Sequence, residues 1–121
     1  MNIEEQICRL TDGFSTCSKL LTAIGDETRQ HLILEMMKMG KCSGVRVGEI
    51  TEKTNLSRPA VSHHLQIMKD AGIVKVRKDG TKNFYYFDPE TEALNRLIAV
   101  LQLAKKISGA LPDRQNDEWR G

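Results

Sequence analysis

Leu56-Ser57-Arg58-Pro59-Ala60-Val61-Ser62-His63-His64-Leu65 reads as the opening of a helix with one buried and one outward face. Ser57 can cap the first free amides, and Pro59 suits a first-turn position that needs no N–H donor. Leu56 and Val61 have the spacing of a hydrophobic staple, so the helix is expected to begin at Ser57. From there Val61, Leu65 and Met68 recur at i, i+4 and i+7 as an inward stripe. Arg58, Pro59, Ser62, His63, Gln66 and Lys69 fall beside or opposite that stripe, which leaves a polar outward face. Upstream, residues 47–54 predict a two-turn helix, and Asn55-Leu56-Ser57 would then be the turn of a helix-turn-helix. Such a pair presents its second helix to the major groove of double-stranded DNA.

The segment that follows extends the same reading. Ala71-Gly72 predicts a left-handed helix end, and Ile73-Val74-Lys75-Val76-Arg77-Lys78 is strand-like. Asp79-Gly80 is a hairpin signal, and Lys82-Asn83-Phe84-Tyr85-Tyr86-Phe87 supplies an aromatic-rich returning strand. The product is a β wing with a cationic tip, in which Lys75, Arg77, Lys78 and Lys82 suit phosphate contact beside the helix. Ser57, Arg58, Ser62, His63 and His64 complete the candidate DNA-binding set. Arg58 can fork to guanine O6 and N7, while Ser62 and His63 can bond to base edges or phosphates. The wing cations would add affinity and salt dependence rather than base choice. The bland alternative is an ordinary solvated helix face and a soluble loop. His64 lies only about 60° from the inward stripe, so a half-buried histidine bonded to the backbone competes there with a phosphate contact.

These residues resemble the ArsR/SmtB winged-helix repressors of bacteria over roughly residues 20–87. Gly25-Asp26-Glu27-Thr28-Arg29 resembles the family's Gly-Asp-Pro-Thr-Arg segment, with Glu27 in place of proline. Leu56-Ser57 through Val61-Ser62-His63-His64-Leu65 resembles its recognition helix, and Ala71-Gly72-Ile73-Val74 with Tyr85-Tyr86 resembles its wing. A lone helix-turn-helix pattern has many false matches, but four segments in the right order and spacing are specific. The resemblance implies a dimeric, ligand-responsive transcriptional repressor. The expected fold class is therefore mainly α with a small antiparallel β wing, a winged helix-turn-helix that dimerises through its terminal helices.

Length and charge agree with one domain. The 121 residues are 40% hydrophobic, enough for a single core with no room for a second. No apolar run approaches the roughly 20 residues of a membrane span, and the acidic start is unlike a signal peptide, so a cytoplasmic protein with no membrane partner is expected. The formal net charge is only +2, but residues 56–82 hold six Lys/Arg against two Asp/Glu, or +4, leaving −2 elsewhere. That asymmetry, not the total, points to nucleic acid. We expect a domain over residues 1–108, with the helix-turn-helix at about 47–71, the wing at about 73–87 and a dimer helix at about 89–107. Residues 109–121 read as a flexible tail in which Trp119 is an incidental aromatic.

Around the motif, residues 3–18 predict a first helix with Ile7, Leu10 and Phe14 at helical spacing, although Thr11-Asp12-Gly13 weakens it. A second helix is expected from Asp26, its cap, to Gly40, with Met36 and Met37 as core packing. A short strand at Gly44-Val45-Arg46 would join the wing. After the wing, Asp88 reads as a cap and Pro89 as a first-turn residue of the last helix. In that helix Leu94, Leu97, Ile98 and Leu101 make one apolar face, and Val100, Leu103 and Ile107 make a second. The arc is wider than the roughly 100° that packing on one core requires. A partner copy is the simplest cover, which makes Leu94, Leu97, Ile98 and Leu101 the expected homodimer interface.

What the protein senses is not legible in the same way. In arsenic- and cadmium-responsive relatives a Cys-x-Cys pair precedes the recognition helix, and the aligned residues here are Arg46 and Gly48. Zinc-type members carry Asp and His ligands on the last helix, whereas residues 90–107 contain no histidine. His31, His63 and His64 all fall on helices assigned to core or DNA, and no His/Cys cluster has zinc-like spacing. No cofactor is expected. Cys8, Cys17 and Cys42 are an odd number of reduced thiols, and Cys8 and Cys17, nine residues apart, would sit half a turn out of phase on one helix. A thiol switch or a soft-metal ion site using Cys8, Cys17 or Cys42 is the alternative to three inert apolar side chains. Two other classes compete: a winged helix turned to a protein partner, which would bind with little salt dependence, and an enzyme, for which no motif brings together nucleophile, base and orienting group.

Overall fold

In the computed structural model, which describes residues 1–111, the chain folds as α1 (Ile3–Thr16), α2 (Ser18–Ile24), α3 (Glu27–Met39), α4 (Val47–Lys53), α5 (Arg58–Asp70), β1 (Val74–Asp79), β2 (Lys82–Phe87) and α6 (Glu92–Gly109). The expected tail, residues 109–121 with Trp119, lies almost wholly outside the described residues.

Local chemistry sets most boundaries where the sequence places them. The Asp26 carboxylate accepts the Arg29 amide at 3.0 Å and opens α3. The Ser57 hydroxyl accepts the Ala60 amide at 3.2 Å, so α5 starts one residue after its cap with Pro59 in the first turn. Its far end is a six-residue closure: Ile73 N–H donates to Met68 O at 2.9 Å and Gly72 N–H to Lys69 O at 3.0 Å. Gly72 sits at φ 84°, a conformation a β-carbon would strain, and an added Cβ would also lie 2.7 Å from Cβ of Ala93.

One core unites these elements. Val61, Leu65 and Met68 are fully buried on α5 and meet Leu32, Ile50 and Val74 from α3, α4 and β1. Burying each such side chain stabilises the fold by about 1.5–3 kcal/mol, so the recognition helix is held chiefly by its inward stripe. The wing is a two-stranded antiparallel sheet in the register Val74↔Phe87 to Asp79↔Lys82. The expected third strand is a single bridge in which Val45 and Tyr85 exchange both backbone hydrogen bonds at 2.8 Å. It ties the connector before α4 to the wing.

Several expectations are corrected. The helix predicted over residues 3–18 ends at Thr16; Cys17 is buried, and the turn there lets α2 place Leu20 and Ala23 in the core. Gly13 does not interrupt α1, because that position faces α6: an added Cβ would come within 2.6 Å of Val100 Cγ2. The last helix is capped by Thr91, whose hydroxyl accepts the Leu94 amide at 3.2 Å, and not by Asp88. Asp88 instead accepts the Glu90 amide at 2.9 Å and pairs with Lys75, so Pro89 and Glu90 form a turn ahead of the helix. Met36 is core, but Met37 is exposed on the opposite side of α3.

The terminal helices pack together, and α6 divides its apolar residues between two surfaces. Leu97, Val100 and Ile107 are buried and Leu94 is packed against the core, while Ile98 and Leu101 are each 53% exposed. Leu97 is thereby taken up by its own subunit, which corrects its assignment to an intersubunit face. Ile7 and Phe14 of α1 are exposed as well. Among the described residues no helix is long and apolar enough to cross a membrane.

Candidate nucleic-acid interface

Because the inward stripe of α5 is anchored, its remaining side chains are presented on one fixed face. Arg58, Ser62 and His63 are all exposed there, and Ser57 is exposed at the cap. Gln66 is turned along the helix, its Nε2 donating to Asp70 Oδ1 at 2.9 Å. Arg58 leans back across the amino end of α4, where an added Cβ on Gly48 would lie 2.9 Å from its Nη2. It shares a cleft with Arg46 and with Thr81 and Asn83 of the wing tip. Recognition helix, α4 and wing tip therefore meet at one groove. Arg46, Thr81 and Asn83 were absent from the sequence-derived set, since only the fold brings residues so far apart together.

The four wing cations are not equivalent. Lys75 Nζ donates to Asp88 Oδ2 at 2.7 Å, and this hydrogen bond with its attendant charge attraction raises the Lys75 pKa and lowers that of Asp88. Arg77 lies over the Phe84 ring, 4.5 Å from its centroid, and donates through Nη2 to Ser43 O at 3.2 Å. Lys75 and Arg77 thus brace the wing, where the sequence reading had grouped them with the free cations. Lys78 and Lys82 are exposed near the tip and make no salt bridge among the described residues. The two-residue loop is Gly80-Thr81, one step beyond the Asp79-Gly80 signal, because Asp79 pairs with Lys82 and only Gly80 adopts a positive φ, 64°.

His64 belongs to a different environment from His63. It is half-buried, with Nδ1 3.4 Å from Nη1 of Arg29. Desolvation, followed by the positive charge of Arg29, lowers its pKa below the usual histidine value. Arg29 is 8% exposed, and its Nε and Nη2 donate to Ala23 O at 2.8 Å and Thr22 O at 3.1 Å. Nothing in the sequence pattern marks Arg29 for this role, because a basic residue in an early helical turn carries no local sign of burial.

Cys17 is buried at the α1–α2 turn, whereas Cys8 and Cys42 are exposed, and all three are free thiols. Among the described residues no three His, Cys, Asp or Glu side chains are grouped to hold a metal ion. Arg46 and Gly48, at the cap and in the first turn of α4, offer no thiolate or imidazole to such an ion.

Comparison with known proteins places this arrangement among regulators. A family model described as "Bacterial regulatory protein, arsR family" matches residues 26–76, from the α3 cap into β1. An uncharacterized HTH-type transcriptional regulator of Methanocaldococcus jannaschii is 35% identical over 91 residues, covering 74% of this chain and 99% of that protein. The transcriptional repressor SdpR of Bacillus subtilis is 35% identical over 81 residues, covering 67% and 83%. An ArsR-like transcriptional regulator from Rhodococcus sp. RHA1 shares the fold at a TM-score of 0.69 and 19% identity, over 82% of this chain and 85% of that one.

Proposed function

This chain belongs to the arsR family of bacterial regulatory proteins, and from that premise we propose that it works as a homodimeric repressor of a palindromic operator. It is a DNA-binding transcriptional regulator and not an enzyme. The observation that carries the finer reading is the juxtaposition of an anchored, polar-faced α5 with a wing tip bearing Lys78 and Lys82. In this reading Arg58, Ser62 and His63 contact base edges, and Ser57, Lys78 and Lys82 contact phosphate. Lys75 and Arg77 act mainly by holding the wing in place.

Support for a dimer comes from Ile98 and Leu101 on α6 and Ile7 and Phe14 on α1, apolar side chains left exposed on a pair of packed helices. A second copy covers them most economically, since a two-fold axis matches a patch to itself. It also sets two α5 helices about 34 Å apart, one turn of DNA. Cys8 and Cys42 are the accessible thiols through which an oxidant or soft metal would relieve repression.

Gel shifts on a duplex from the chain's own upstream region test the DNA reading. Arg58→Ala is expected to cost about 1–3 kcal/mol, a loss of roughly 5- to 150-fold, with relaxed base preference. Lys78→Ala should weaken all sequences alike and reduce the salt slope by about one. Binding by both variants indistinguishable from wild type would overturn the interface.

A further inference from the structure

We propose that Arg29 is a positioning residue for DNA recognition, holding His64 as the neutral tautomer whose only ring N–H, on Nε2, is offered to a DNA phosphate. This rests on the DNA-binding reading above and adds to it how one side chain of the recognition helix is kept in its working state.

The argument begins with donors and acceptors. A guanidinium has five N–H donors and no acceptor, so the 3.4 Å approach of Arg29 Nη1 to His64 Nδ1 is favourable only if Nδ1 contributes its lone pair. The proton of the neutral ring must then sit on Nε2. No described residue accepts a hydrogen bond from Nε2, yet no buried side-chain nitrogen in the described residues lacks a partner, so Nε2 is open to solvent. A half-buried ring on α5 thus has an inward acceptor already engaged and an outward donor free.

Arg29 is itself placed with little freedom. Its Nε and Nη2 donate to the carbonyls of Ala23 and Thr22, which the last turn of α2 leaves unpaired, and Asp26 Oδ2 stands 3.7 Å from Nη2. One buried guanidinium therefore links the end of α2, the start of α3 and the middle of α5. The charges acting on the imidazole are Arg29 and Asp26 from α3 and His63 from its own helix. From α2 come the carbonyls that hold Arg29. Burial, Arg29 and His63 disfavour the imidazolium, and Asp26 opposes them more weakly than burial and Arg29 together.

Protonation of His64 would set an N–H against an N–H and a cation against a cation. Because the folded protein lowers this pKa, the contact is complete at and above the ordinary histidine value of 6.5 and is lost only as pH falls through the lower value of the folded state. His63 is exposed on the same helix and makes no hydrogen bond with Arg29 among the described residues, so a variant there leaves the Arg29–His64 contact in place.

The test uses the intact protein. Nitrogen-15 chemical shifts of its imidazoles at pH 7.5 should show His64 protonated on Nε2 and bare on Nδ1. Affinity for the upstream duplex is then compared at pH 7.5 and 5.5 for wild type, His64→Gln and His63→Gln. Glutamine can accept from Arg29 and donate outward but does not titrate. His63→Gln keeps the Arg29–His64 contact and should therefore lose affinity on acidification from pH 7.5 to 5.5. His64→Gln should lose none of its own pH 7.5 affinity. An Nδ1–H tautomer, or equal acid losses in the two variants, would overturn the role of Arg29 while leaving DNA binding intact. A wild type that binds no duplex at pH 7.5 would instead remove the regulator reading and this inference with it.

Discussion

Replacing Ile98 and Leu101 together by Glu is expected to yield a folded monomer whose affinity for its operator falls by about 100-fold or more. Both side chains are 53% exposed in the single subunit, so the substitutions remove little from its own core. Across a two-fold axis each carboxylate would meet its symmetry mate or another apolar side chain, and burying unpaired charge is far more costly than burying leucine. Two tethered half-site readers gain roughly 10²–10⁴ in avidity over one, which sets the size of the loss. Sedimentation or light scattering reports the monomer, circular dichroism reports retained helix, and gel shifts report the affinity. A variant that stays dimeric would show that α6 is not the contact and would redirect attention to Leu34 and Met37, the exposed apolar pair on α3. Leu97→Glu makes a useful contrast, since Leu97 is buried within the subunit and the variant should unfold rather than dissociate.

Leu65→Ala is expected to destabilise the protein by about 2–5 kcal/mol, the usual cost of a cavity left by a large aliphatic side chain. Leu65 has no exposed surface and lies at the centre of the inward stripe of α5, between Val61 and Met68. For a domain of this size, at about 4 °C per kcal/mol, the melting midpoint should fall by roughly 8–20 °C. DNA affinity should fall with it even below the transition, because the cavity loosens the face that carries Arg58, Ser62 and His63. Ser62→Ala, on the exposed side of the same helix, should stay within about 0.5 kcal/mol of wild type in stability. Equal melting of the two variants would show that the stripe is not what anchors the helix.

The legible parts of this molecule were those in which chemistry is local. A Ser, Asp or Thr that caps a helix does so within three residues, and an apolar stripe repeats within two turns. Ser57, Asp26, Val61, Leu65, Met68 and Gly72 could therefore be assigned before any fold was known. The errors fall where two local signals compete. Asp88-Pro89 is as good a helix start as Thr91, but Lys75 on the neighbouring strand engages the Asp88 carboxylate and the helix begins later. Gly13 reads as a helix breaker until α6 crosses it closely enough that no larger residue would fit.

The interface residues divide in the same way. Exposure of Arg58, Ser62 and His63 follows from helical phase, so the sequence alone determined the outward face of α5. It could not rank four cations of like charge on one wing. The Phe84 ring and Ser43 carbonyl that occupy Arg77, and the carboxylate that occupies Lys75, are brought near by strand register and chain reversal. The sequence likewise determined that α6 has more apolar surface than one face requires, while the packing of α1 decided that Leu97 is spent inside the subunit and Ile98 and Leu101 are not. Arg29 and His64 are 35 residues apart and meet only because α3 and α5 share a core. Periodicity and capping are encoded over a few residues and survive in the sequence as pattern; the partner of a charged or titratable group is set by distance in space, which tertiary packing alone supplies.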